Sequence, residues 1–177
     1  MDILQKNELA SKQQQTIKGY YKWHAKLYKL TRWTFLFGRR RLIHALELPM
    51  FSDQTVLEVG CGTGYNLYIL SRFYPNLQVI GLDISIDMLK IATKKLSRFS
   101  RRVLFLEKSY DPGPWQLPKL PDTILFSYCL TMINPGWEDA IQRAYSDLPA
   151  GGKIADVDFH GTPFQWFKKW MGFNHVG

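Results

Sequence analysis

The chain has 177 residues, 46% apolar and 21% charged, with a net charge of +8, a composition that gives one domain with a real core and excludes a disordered chain. No stretch nears the roughly 18 uninterrupted apolar residues of a membrane span, and no apolar signal core opens the sequence, so the expected location is the cytoplasm, with peripheral contact to the inner membrane face. The basic surplus favours a polyanionic partner, either nucleic acid or an anionic membrane surface.

Residues 1–16 are polar and rich in Gln. From 17 to 48 the apolar spacing is helical, with Gly38 as an expected break and Leu48-Pro49 as the end. Strands and helices then alternate: a strand at 55–59 (TVLEV), a helix at 65–73, a strand at 77–82 (LQVIGL) and a helix at 87–96 with Ser85 as its N-cap. Further strands are expected at 103–106, 123–128 and 153–157, with a helix at 137–147 before the last. Four prolines between 111 and 121 (DPGPWQLPKLP) exclude a regular element and predict a loop over the strand ends. The alternation predicts an α/β fold, a Rossmann-like doubly wound parallel sheet with its ligand at the carboxyl ends of the strands. The cysteines, Cys61 and Cys129, form no CxxC pair and read as small buried residues. None of His24, His44, His160 and His175 has a partner at ligand spacing, and no metal site is expected.

The strongest chemical signal is VLEVGCGTG at 56–64, where Gly60, Gly62 and Gly64 lie between a strand and a helix. Glycines there let the backbone turn sharply and approach a ligand. The dinucleotide pattern GxGxxG would need a glycine at Tyr65, which argues against a nicotinamide cofactor. Asp83 ends the second strand, where a carboxylate can accept both hydroxyl protons of a ribose. Glu58, within the first strand between apolar neighbours, is expected to aim its carboxylate at the pocket edge, towards an ammonium group. By itself the glycine loop would also suit an ordinary tight turn; the acid at the next strand end and the strand–helix order favour a cofactor.

VLEVGCGTG, GLDIS at 81–85 and DMLKIA at 87–92 resemble the nucleoside-binding core of class I S-adenosylmethionine methyltransferases, over about 56–157. The resemblance implies S-adenosyl-L-methionine as cofactor and S-adenosyl-L-homocysteine as product. It implies that Gly60, Cys61, Gly62 and Gly64 line the methionine part, Asp83 holds the ribose, Ile84 and Met88 flank the adenine, and Ser109 and Tyr110 lie at its far side. Many members carry an acid where Ser109 stands. The family normally closes its sheet with an antiparallel strand pair that the residues after Val157 do not supply, so a shortened C-terminus is expected.

Between 18 and 41 eight Lys and Arg residues interleave with Tyr20, Tyr21, Trp23, Tyr28, Trp33, Phe35 and Phe37. This mixture suits a membrane interface, single-stranded nucleic acid, or a basic face over packed rings. With FSYCLTMI at 126–133 it resembles bacterial phospholipid and betaine-lipid N-methyltransferases. That resemblance implies a lipid amine acceptor, phosphatidylethanolamine or diacylglyceryl-homoserine type, with Tyr20, Tyr21 and Tyr28 approaching the donor and amine site; Tyr20, Tyr28 and Tyr128 are expected to meet cationic amine intermediates by cation–π contact. Lys29 departs from the Asp that relatives often carry there. The expected organisation is an N-terminal helical segment at 1–48 acting as lid or substrate contact, a cofactor-binding domain at 49–160, and an aromatic basic tail at 161–177. Rival readings are a methyltransferase acting on a quinone, a small molecule or RNA, an aminocarboxypropyl transferase, and an inactive donor- or membrane-binding module. Homo-oligomerisation would cover an exposed sheet edge.

Overall fold

A computed structural model describes residues 38–113, 115–133 and 135–158. The elements in chain order are α1 (Gly38–Ala45), β1 (Thr55–Val59), α2 (Tyr65–Phe73), β2 (Gln78–Asp83), α3 (Ile86–Lys95), β3 (Val103–Glu107), β4 (Thr123–Ser127), α4 (Trp137–Asp147) and β5 (Lys153–Val157). The five strands form one sheet in the order β3-β2-β1-β4-β5, and every pairing is parallel. β1 and β4 are buried at every residue, as their continuous apolar runs require of central parallel strands. The order reverses between β1 and β4, which places a crevice at their carboxyl ends.

The two faces of the sheet are covered differently. On one, Leu42, Ile43 and Leu46 of the α1 region join Leu67 and Leu70 of α2 and Leu89 of α3 against Val56, Val79 and Leu125. On the other, α4 supplies Ala140, Ile141 and Ala144, and further cover comes from Tyr110, Trp115 and Leu117 and from Cys129, Leu130 and Ile133 after β4. The proline-rich stretch 111–121 is irregular, as expected, but it does not simply lie over the strand ends. It folds onto the second face beside α4, because Leu117 is buried in that core and Trp115 packs there too.

Gly38, the expected break, is the first residue of α1. A Cβ at this position would lie 2.4 Å from Val157 Cγ2 and 2.9 Å from Tyr128 Oη. Glycine is needed here for close approach of a helix to the sheet. The expected helical pattern before it lies outside the described residues, as do the tail after 158 and its aromatic patch. Among the described residues no helix is long and apolar enough to cross a membrane.

Candidate functional site

The chain passes from β1 to α2 through residues 60–64. Gly60, Gly62 and Gly64 have φ of 64°, 53° and 68°, a left-handed region that other residues enter at a cost of about 1 kcal/mol or more. A Cβ at Gly60 would also stand 2.8 Å from Cys129 Cβ. The loop's own amides turn inward: Cys61 N–H donates to the Leu82 carbonyl at 3.0 Å and Gly64 N–H to the Cys61 carbonyl at 2.9 Å. Gly62 N–H donates to Asp83 Oδ2 at 2.7 Å. A phosphate cradle would aim such N–H groups outward; this loop uses them to lie flat on the end of β2.

Asp83 is thereby tied at both oxygens, since Oδ1 accepts from Ser85 N–H at 2.9 Å. The backbone thus fixes this carboxylate, an acceptor-only group, at the end of β2. Ile84 is half-buried in the turn that follows, and Met88 is buried in the first turn of α3. Ser85 caps that helix, its Oγ accepting from Met88 N–H at 3.4 Å. Ser109 is half-buried beyond the end of β3.

Three of the expected cofactor residues have buried side chains. Glu58 is 2% exposed, and its Oε1 accepts from Asn66 Nδ2 of α2 at 2.7 Å. The Cys61 side chain packs into the first core against Gly81, and leaves only its backbone in the loop. The Tyr110 ring belongs to the second core, and its hydroxyl donates to Asp147 Oδ2 at 2.8 Å. Burial, followed by Asp147's hydrogen bond and charge, holds that phenol well above its ordinary range, against the opposing pull of Arg143.

Across the crevice, the chain leaves β4 through Tyr128, a residue other than glycine at positive φ (55°). Such a conformation costs about 1–3 kcal/mol and survives where neighbours hold it. Here Tyr128 N–H donates to the Val157 carbonyl at 2.7 Å, and Gly38 N–H donates to Tyr128 Oη at 3.1 Å. The ring expected to meet a cationic amine has the Arg39 guanidinium 6.0 Å from its centroid; the same guanidinium lies 5.4 Å from the Tyr65 ring. Cys129 is buried beside the glycine loop, and burial pushes its thiol well above the ordinary range. Thr131 donates to Asp158 through both N–H (3.0 Å) and Oγ1 (2.8 Å). Tyr20 and Tyr28 lie outside the described residues. Among those described, no group of His, Cys, Asp and Glu could hold a metal ion.

Arg143 of α4 drew no attention in the sequence. It is 9% exposed, pairs with Asp147 at 3.2 Å, and donates to the carbonyls of Asp111 and Trp115 (3.0 Å). Its guanidinium also stacks 3.9 Å from the Trp115 ring centroid. One cation thus fastens the proline-rich loop to the second face. The sequence signal, an i,i+4 Arg–Asp pair, is too common to mark such a role.

A parallel sheet of this order, with a glycine loop after β1 and a fixed acid at the end of β2, defines a doubly wound nucleoside-binding fold. A family model described as a methyltransferase domain matches residues 56–152, and the chain belongs to that family. The malonyl-[acyl-carrier protein] O-methyltransferase of Priestia megaterium is 31% identical over 152 residues, covering 85% of this chain and 54% of that protein. The trans-aconitate 2-methyltransferase of Afipia carboxidovorans is 29% identical over 109 residues, covering 62% of this chain and 40% of that protein. The chain therefore spans between two fifths and about half of the length of these relatives. Among solved structures, the Haemonchus contortus phosphoethanolamine N-methyltransferase 2, in complex with phosphomonomethylethanolamine and S-adenosylhomocysteine, superposes with a TM-score of 0.62 at 25% identity, covering 78% of this chain and 33% of that one.

Proposed function

We propose that this chain binds S-adenosylmethionine at the carboxyl ends of β1, β2 and β4 and directs methyl transfer to an amine, in the finer reading the amino headgroup of a lipid of the phosphatidylethanolamine or diacylglyceryl-homoserine type. The observation that carries the donor reading is Asp83, a carboxylate fixed at the end of β2 by the amides of Gly62 and Ser85, directly beside the glycine loop. The flat glycine loop, with its amides turned inward, suits a donor stretch without phosphate better than a pyrophosphate. The donor supplies a methyl group already activated on a sulfonium. The protein's part is to align the acceptor with it and exclude water, and no metal is required for that. A neutral amine attacks directly and its proton leaves to a base afterwards.

The amine reading draws on the phosphoethanolamine enzyme among the structural neighbours and on the basic aromatic run at 18–41, which suits an anionic membrane surface. In this reading Tyr20 and Tyr28 face the cationic amine, and Tyr128 positions α1. A second reading, methylation of a carboxylate on a small or carrier-bound acid, follows the names of the relatives.

Calorimetry with S-adenosylmethionine and S-adenosylhomocysteine tests the donor. Micromolar-range binding is expected, weakened about tenfold or more in Asp83→Asn; a folded wild type that binds neither would overturn the reading. Methyl transfer to phosphatidylethanolamine vesicles, compared with soluble phosphoethanolamine and trans-aconitate, then separates a lipid amine, a free amine and a carboxylate.

A further inference from the structure

We propose that the outer surface of the first face, the side of the sheet covered by α1, α2 and α3, docks on an anionic bilayer; this deepens the lipid reading above and rests on it for its purpose, not for its test. The charges of the described chain are unevenly divided. Between 38 and 106 there are ten Lys and Arg residues against five Asp and Glu; between 107 and 158 there are four against eight. The first stretch holds α1, α2 and α3, which cover one face, and the second holds α4, which lies on the other. The two faces therefore carry opposite net charge, and the field of such a molecule turns its basic face towards a polyanionic surface.

Within the three helices the one acid is Asp87, with Lys90 Nζ 3.5 Å from it. Arg40, Arg41, Arg72 and Lys94 are exposed, as are Arg98 and Arg101 between α3 and β3. Arg98 is held against α2, donating to Tyr68 Oη at 2.9 Å. Beside these cations stand large exposed apolar side chains. Phe73, at the end of α2, is 63% exposed, and Met50 and Phe51, before β1, are 65% and 71% exposed. The two groups adjoin, because Asn76 Nδ2 donates to the Phe51 carbonyl at 3.4 Å and Arg102 fastens the end of α2 to the start of β3. Cations around apolar tips suit a bilayer interface: the tips enter the headgroup boundary and the cations meet anionic lipid. Nucleic acid is served less well, since the rings nearest the cations, Tyr68 and Phe99, are packed edge to face and already stacked by Arg98 and Arg102, which leaves them poor platforms for a base. α1 begins where Gly38 meets Tyr128, so a bilayer under this face would reach the rim of the crevice.

The full chain is sedimented with vesicles of phosphatidylcholine alone and of phosphatidylcholine mixed with phosphatidylglycerol, over a range of salt. Binding to the mixed vesicles only, weakening with salt, is expected. Arg72→Gln, Lys94→Gln and Arg101→Gln combined should weaken it about 100-fold at low salt and flatten its salt dependence. Phe51→Ser with Phe73→Ser should weaken it about tenfold with the salt dependence kept. Circular dichroism and the thermal midpoint report that the variants are folded. Equal binding to both kinds of vesicle, or undiminished binding by either folded variant, would overturn the proposal. A single-stranded oligonucleotide that binds the wild type more tightly than the vesicles do, and is lost with the same three cations, would overturn it in favour of nucleic acid. If the vesicles bind as expected while methyl transfer reaches soluble acceptors alone, the lipid-acceptor reading fails and the docking surface stands.

Discussion

The two ends of the sheet treat polar groups in opposite ways. At the amino ends of the strands, charged side chains close off backbone. Arg102 donates to the carbonyls of Ser71, Tyr74 and Leu77, capping α2 and the start of β2. Asp122 accepts from Thr55 N–H at 2.8 Å, and Lys153 donates to the Leu46 carbonyl at 3.2 Å. At the carboxyl ends the backbone turns into positive φ instead, at Gly60, Gly62, Gly64 and Tyr128, and the Asp83 carboxylate is held by the amides of Gly62 and Ser85. One end is built for stability and the other for a ligand, and the division follows from where a parallel sheet leaves room.

Substitutions that confuse the two ends would break this contrast. The largest effect is expected for Gly60→Val, which forces a branched residue into positive φ and drives its Cβ into Cys129. A destabilisation of about 3 kcal/mol or more is expected from strain and overpacking together, with loss of donor binding, read by thermal denaturation and calorimetry. Arg102→Met removes the cap at the opposite end. It should cost about 2 kcal/mol, a fall of roughly 4–8 °C in Tm, with donor affinity unchanged; a change in affinity would show that the ends are coupled.

The smallest effect concerns β5. Partial burial, then the charge of Asp158, pushes the Asp156 carboxyl up to about 6. A carboxyl raised in the fold binds its proton more tightly there than in the unfolded chain. The native state should therefore gain stability as pH falls from about 6 towards 4, and lose it as pH rises through 6. Asp156→Asn should be slightly more stable than wild type at pH 7.5, and the difference should shrink to nothing below pH 4. A difference independent of pH would assign the effect to something other than this charge.

Much of the fold was legible because its signals are local. The bounds of β1, α2, α4 and β5 match the apolar runs and helical spacing read from the sequence, and Ser85 caps α3 as its position suggests. β4 ends one residue before the expected Tyr128, because Tyr128 turns into positive φ, which no propensity foretells. The burial of Glu58, Cys61 and Tyr110 was not legible, because it depends on which elements pack over them and not on their neighbours in the chain. Arg39, Arg102 and Arg143 act on partners far away in sequence, so nothing near them in the chain could announce their roles.

The uneven cover of the two faces bears on the order in which the molecule assembles. The first core draws mostly on residues between Leu42 and Val103, which meet through short loops as soon as that stretch exists. The second closes only when Arg143 arrives and clasps the carbonyls of Asp111 and Trp115, 32 and 28 residues upstream. During synthesis from the N-terminus, the glycine loop and Asp83 emerge with β1–β3, but both faces wait for later chain: the first for Leu125, Ala155 and Val157, the second for α4 and its clasp on the proline-rich loop.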